Sequence, residues 1–156
     1  MIPKKIHFCW LSGEPYPPIV NTCIESWVKY LPDYEIILWD TYRIDINSNL
    51  WLKQAFEAKK YAFAADYIRF YALYNYGGIY LDADVEVLKS FDSLLGEQQF
   101  VGEEAGGDIE AAVMGAEKGL PWVKECLDYY MDRPFIKDNG CLLYTSPSPR
   151  DRSLSR

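Results

Sequence analysis

Histidine is almost absent. His7 is the one imidazole in 156 residues, and the four cysteines, Cys9, Cys23, Cys126 and Cys141, form no C-x-x-C pair. A structural zinc site needs closely spaced sulfur and nitrogen ligands, so that chemistry is excluded, and thiols scattered this way are expected to be reduced and mostly buried. No run of 18 apolar residues occurs, so no segment reads as a membrane-spanning helix. The apolar stretch after Lys4-Lys5, Ile6–Leu11, includes His7 and stops at Ser12-Gly13, too short for a secretory leader, and the chain has no N-x-S/T glycosylation site. Together these absences favour a cytoplasmic setting. Positive charge is also in deficit: 16 basic against 23 acidic side chains give a net charge of −7. Binding to nucleic acid or to an anionic membrane needs clustered Lys and Arg, so those classes are excluded.

What is present is a chain with enough apolar residues for a core, at 49% hydrophobic and 16% aromatic, which argues against disorder and suits one domain. The charge is uneven. Residues 141–156 carry +2 and leave −9 on the first 140. The run Cys141-Leu142-Leu143-Tyr144-Thr145-Ser146-Pro147-Ser148-Pro149-Arg150-Asp151 has no apolar period. It resembles translated adapter sequence of the kind that contaminates assembled environmental genes. Residues 1–140 are therefore expected to form the folded domain, and 141–156 a disordered or artefactual tail.

The pattern along residues 1–140 alternates short apolar runs with helical periods. Strands are expected at Ile6–Leu11, Tyr34–Trp39 and Ile79–Leu81, with further ones at Val85–Leu88, Phe100–Glu103 and Ile109–Met114. Pro17 and Pro18 start a helix whose apolar face is Val20, Cys23, Ile24, Trp27, Val28 and Leu31. A helical region covers about Leu50 to Tyr76, broken near Lys59-Lys60 and stopped by Gly77-Gly78, and Pro121–Met131 reads as a last helix. Strand–helix alternation predicts an α/β fold with a largely parallel sheet flanked by helices.

Two groups of residues suit chemistry. In Asp82-Ala83-Asp84 the carboxylates stand two apart, directly after the apolar Ile79-Tyr80-Leu81. Alternate residues of an extended segment face one side, and ligands of open α/β sheets bind beyond the carboxyl ends of strands. Two carboxylates there suit a hard cation such as Mn²⁺ or Mg²⁺. A D-x-D triplet also arises about once by chance in such a chain, and two solvated acids on a turn would look the same. Asp66 and Arg69 share a helix face amid Ala64, Ala65, Tyr67, Ile68, Phe70 and Tyr71. That setting is costly for charges without a partner or ligand, although an ordinary salt bridge remains open. Of the aromatic cluster Tyr61, Phe63, Tyr67, Phe70, Tyr71, Tyr74, Tyr76 and Tyr80, most must be core, with about one ring in four reaching a pocket. Glu103, Glu104, Asp108 and Glu110 could line an acceptor site, but surface acids are the ordinary reading.

The block from Ala65 to Val85, Ala65-Asp66-Tyr67-Ile68-Arg69 through Gly77-Gly78-Ile79-Tyr80-Leu81-Asp82-Ala83-Asp84-Val85, resembles the signature of the DXD-containing sugar transferases. These include bacterial capsular-polysaccharide transferases, fungal initiation-type mannosyltransferases and, more distantly, the large clostridial glucosylating toxins. The opening Ile2-Pro3-Lys4-Lys5-Ile6-His7-Phe8-Cys9-Trp10 and the Trp39-Asp40 strand end are similar too, so the likeness covers residues 1–140.

The resemblance implies a GT-A fold and a retaining transfer of sugar from a UDP- or GDP-linked donor to a glycan or lipid-linked acceptor. The setting it suggests is capsular or lipopolysaccharide synthesis at the cytoplasmic face of a membrane, with peripheral association. It assigns Asp82 and Asp84 to Mn²⁺ or Mg²⁺ and catalysis, with Asp82 also touching the donor. Asp66 and Arg69 fall to the donor's sugar and ribose, and Trp10 to its base. Ala65 departs from the serine common in the family, and His7 matches a recurrent residue that is more often structural. Family members run on to a His- and Trp-containing segment, whereas no histidine follows His7. The chain is therefore expected to be C-terminally truncated, and a non-catalytic sugar-nucleotide-binding fragment is one alternative. The other is an aspartate-nucleophile phosphatase of the haloacid-dehalogenase type, in which a strand also ends in D-x-D.

Overall fold

A computed structural model describes residues 1–136. The tail from 141 and the boundary at 140 lie outside the described residues. The strands are β1 (Lys5–Cys9), β2 (Glu35–Trp39), β3 (Gly78–Leu81), β4 (Gln99–Glu103) and β5 (Ile109–Ala116). The helices are α1 (Pro18–Tyr30), α2 (Leu50–Glu57), α3 (Tyr61–Tyr76) and α4 (Pro121–Tyr129). One sheet has the order β2-β1-β3-β5-β4. β1 pairs in parallel with β2 and β3, while β5 runs antiparallel between β3 and β4. Four strands thus share one direction, but half of the pairings are antiparallel, so the sheet is mixed. A parallel core of three strands is extended by a hairpin.

Alternation along β1 sorts the two faces. Ile6 and Phe8 pack with Trp27, Leu31, Ile79 and Leu81 on the α1 side. His7 lies on the opposite side, where α3 packs with α2 and α4. In α1 the expected face is narrower than its apolar residues. Val20, Cys23, Trp27 and Leu31 are buried, whereas Val28 is exposed. α2 begins where the Asn49 side chain accepts the Leu52 N–H at 2.9 Å, a helix cap that satisfies an otherwise orphaned donor. The break before α3 falls at Lys59, which takes a positive φ of 58°. α3 has buried residues on all sides, Phe63 to Arg69 without a gap, as expected of a helix held between a sheet and other helices.

Gly77 ends α3 with φ 68°. A Cβ there would sit 2.7 Å from the Lys118 backbone nitrogen, and one on Gly78 would sit 2.7 Å from the Lys5 carbonyl oxygen. The pair thus both terminates the helix and permits close backbone packing. That packing lies at the start of β3, one strand length away from the aspartates rather than beneath them.

Val85–Leu88 is not a strand. Its backbone is taken by α1 instead: the Trp27 indole N–H donates to the Val85 carbonyl at 2.8 Å, and the Val87 N–H donates to Ser26 Oγ at 2.8 Å. With these groups satisfied by side chains, no ladder forms. Cys23 is buried, and Cys9 and Cys126 are half-buried. Cys141 lies outside the described residues.

Candidate active site

Because β1, β2 and β3 are parallel, their carboxyl ends open on one edge of the sheet, delivering Trp10, Asp40 and Asp82 to the same rim. A cleft of about 370 Å³ lies there. Its walls are the β1 end (Cys9, Trp10, Leu11, Ser12), the start of α1 (Ile19, Val20) and the start of α3 (Tyr61, Ala62, Ala65). Tyr80, Asp82, Ala83 and Asp84 complete it. A second hollow of about 250 Å³ shares Trp10 and Leu11 and continues over Glu14, Tyr16, Asp40 and Tyr42.

The aspartates do not occupy an extended segment. The Val85 N–H donates to the Asp82 carbonyl at 3.0 Å, closing a four-residue turn, while the Asp82 N–H still reaches the Ala112 carbonyl at 2.9 Å. The strand therefore ends at Asp82, and the turn, not strand alternation, brings both carboxylates to the cleft. Asp82 is half-buried and Asp84 exposed.

Behind the turn stands an ion cluster. Arg69, 2% exposed, donates from Nη1 to Asp66 Oδ1 at 3.1 Å and from Nη2 to Asp82 Oδ1 at 3.3 Å. Its guanidinium carbon lies 4.6 Å from the centre of the Tyr80 ring, a geometry in which the ring face attracts the cation. The surface salt bridge left open by the sequence is thus a buried bridge reaching the D-x-D motif. Removing one member of such a cluster leaves another charge stranded in the interior. Tyr80 was not singled out from the sequence as part of it. The available signal was its spacing, since residues 80 and 82 of one strand face the same side.

Trp10 sits at the rim common to both hollows. Its indole N–H donates to the Glu14 carbonyl at 2.7 Å, and its ring meets Tyr16 edge-on at 5.2 Å. Burial, with Asp40 nearby, raises the Tyr16 pKa. His7 is elsewhere. It is fully buried, with Nε2 against the Gly77 carbonyl at 2.9 Å and Nδ1 accepting the Trp39 indole N–H at 3.0 Å. Burial lowers its pKa, and these partners define a neutral imidazole protonated at Nε2. It is a structural residue. Of the eight clustered aromatics, Tyr61 and Tyr80 line the cleft. Glu103, Glu104, Asp108 and Glu110 lie on the β4–β5 hairpin outside it.

The donor set fits a divalent cation that is completed by its ligand. No group of three or more His, Cys, Asp or Glu forms a metal site among the described residues. Asp82 and Asp84 are the acids in the cleft lining. One or two carboxylates joined by substrate phosphates and water is how Mg²⁺-type sites are commonly built.

Comparison with known proteins identifies the family. Inositol phosphoceramide mannosyltransferase 3 of Schizosaccharomyces pombe is 35% identical over 126 residues, covering 78% of this chain and 35% of that protein. A mannosyl phosphorylinositol ceramide synthase of Saccharomyces cerevisiae is 30% identical over 131 residues, covering 81% and 34%. The chain thus spans about a third of the length of these relatives. The solved PaToxG glycosyltransferase superposes with a TM-score of 0.63 at 19% identity, covering 81% of this chain and 59% of that one, a likeness of fold consistent with GT-A. Residues 17–101, more than half of the chain, match the family described as the glycosyltransferase sugar-binding region containing the DXD motif, and the chain belongs to that family.

Proposed function

We propose that the protein transfers a sugar, with retention, from a UDP- or GDP-linked donor to a glycan or lipid-linked acceptor, using Mn²⁺ or Mg²⁺ held by Asp82 and Asp84. The single observation that carries this reading is a ligand-sized cleft at the carboxyl edge of the parallel strands, lined by Asp82 and Asp84 and backed by the Asp66–Arg69–Asp82 bridge. The two fungal relatives are named for mannose and inositol phosphoceramide, which supports mannose as the first sugar to try and a lipid-linked acceptor. They lend no support to a capsular or lipopolysaccharide setting. We place the reaction at the cytoplasmic face of a membrane. No helix among the described residues is long and apolar enough to cross one.

Each residue then has a physical task. The cation, when bound, supplies positive charge against the departing diphosphate. Asp82 and Asp84 hold it from the turn, and Asp82 keeps its orientation through Arg69 and Ala112. Arg69 and Asp66, which the family likeness assigns to the donor's sugar and ribose, stand buried behind the turn, where Arg69 bridges Asp66 and Asp82. Trp10 offers a ring to the base, while Leu11, Val20 and Ala65 exclude water from that side. Calorimetric titration with GDP-mannose, UDP-glucose and their relatives in Mn²⁺ is expected to give saturable binding that Asp84→Ala abolishes. Binding that Asp84→Ala leaves unchanged would overturn the assignment.

A further inference from the structure

The segment leaving the aspartate turn is tied to a helix far away in sequence. Trp27 donates to the Val85 carbonyl and Ser26 accepts the Val87 N–H, each at 2.8 Å, across 58 and 61 residues. The Ser26 hydroxyl itself donates to the Cys23 carbonyl at 2.5 Å, which fixes its lone pairs toward Val87. Ser26, Trp27 and Val87 are all buried, so water does not compete for these bonds.

The two aspartates differ in how they are held. Asp82 is secured at its N–H by Ala112, at its carbonyl by Val85 and at its carboxylate by Arg69. Asp84 is exposed, and among the described residues no hydrogen bond or ion pair reaches its carboxylate. The direction of Asp84 is therefore set by the backbone that carries it. That backbone is fixed on the entry side by Asp82 and on the exit side by Ser26 and Trp27. The first turn of the same helix supplies Ile19 and Val20 to the cleft wall, so one rigid element carries both the wall and the anchor of the turn.

We propose that Ser26 and Trp27 are positioning residues for the cation: a two-point clamp from α1 that aims Asp84 by holding Val85 and Val87. Neither side chain touches the ligand. The inference rests on the reading of the site given above. Groups behind the ligands of a metal orient them, and their loss typically weakens metal affinity about 10–100-fold.

The test compares the parent chain with Ser26→Ala, Trp27→Phe and the double variant. Each substitution deletes a hydrogen-bonding group while retaining most of the buried volume. Binding of GDP and UDP is measured by calorimetry in Mn²⁺ and again in EDTA, and free Mn²⁺ is followed by its electron paramagnetic resonance signal. The expected result is an affinity for Mn²⁺ with nucleotide about 10-fold weaker in the double variant, with the affinity in EDTA within twofold of the parent. A general loss of structure would weaken both. If the double variant does not fold, Ser26→Ala alone, one oxygen smaller, is expected to weaken only the Mn²⁺-supported binding. Parent-like Mn²⁺ binding in the folded variants, or equal losses with and without Mn²⁺, overturns the clamp and leaves the proposed function intact. A parent chain that shows no Mn²⁺-supported nucleotide binding overturns the proposed function, and the clamp with it.

Discussion

The start and the end of β3 are four residues apart and are built on opposite principles. At the start, Gly77 and Gly78 pack backbone against backbone, with the neutral His7 imidazole bridging Gly77 and Trp39. Every polar group named there is matched by a neutral partner, and no space is left over. At the end, Arg69 bridges Asp66 and Asp82 behind a cleft that Asp82 and Asp84 line. The closed end stabilises the fold through fit. The open end sets charged groups beside a ligand-sized cleft, as is common where function competes with stability. A strand buried at all four positions lets one end be rigid enough to support the other.

The contrast can be broken in order of effect. Gly78→Ala carries the largest cost, because the new Cβ meets the Lys5 carbonyl oxygen at 2.7 Å and the residue holds φ at 122°. A loss of about 3 kcal/mol or more is expected in urea denaturation. Arg69→Met comes next. It strands Asp66 and Asp82 together and is expected to cost about 3 kcal/mol, with a smaller loss in the double variant Asp66→Asn, Arg69→Met. Equal losses in the single and double variants would show that the guanidinium acts by packing and not by charge.

The third effect is one of pH. The folded-state pKa of His7 is lowered by burial below its ordinary 6.5, so the unfolded chain binds the proton more readily than the folded one. This contribution to stability is complete above pH 6.5 and is lost as the pH falls below it toward the folded-state value. Since the chain has one histidine, its single imidazole signal in nuclear magnetic resonance should titrate below pH 6.5 and report the Nε2-protonated neutral form above its midpoint. His7→Gln should flatten the acid limb of the stability curve. The smallest effect on stability belongs to Asp84→Ala. The side chain is exposed, so a change within about 0.5 kcal/mol is expected, although the same substitution is expected to abolish metal-supported binding. That pairing of no stability cost with full loss of binding is the sharpest statement of the difference between the two ends.

The elements governed by local periodicity were legible in the sequence. The apolar run expected as a strand at Ile6–Leu11, the proline start of α1 and the break near Lys59-Lys60 are local facts; the structure has that strand at Lys5–Cys9 and shows the other two. The family block singled out Asp66, Arg69, Asp82 and Asp84, and the structure brings Asp66, Arg69 and Asp82 into one cluster. What could not be read was decided by partners distant in sequence. Val85–Leu88 looks like a strand until Ser26 and Trp27 take its backbone groups. Asp82-Ala83-Asp84 looks extended until the Val85 N–H turns back to Asp82. Tyr80 reads as core until α3 lays Arg69 over its ring. Nor could periodicity say that β5 enters antiparallel between β3 and β4, because strand order is a matter of long-range pairing.

That hairpin has a consequence for how copies of the protein meet. Among the described residues β4 is an edge strand, and an open edge offers unpaired backbone groups to any neighbouring chain. Here the pairing of β4 with β5 slips between Val101 and Gly102, and the outward Glu103 that follows is exposed. The slip disrupts the regular edge that a second strand would need, and the carboxylate repels its own copy across such a junction. A sheet guarded in this way along β4 can keep the carboxyl ends of its parallel strands open for ligands without inviting aggregation along that strand.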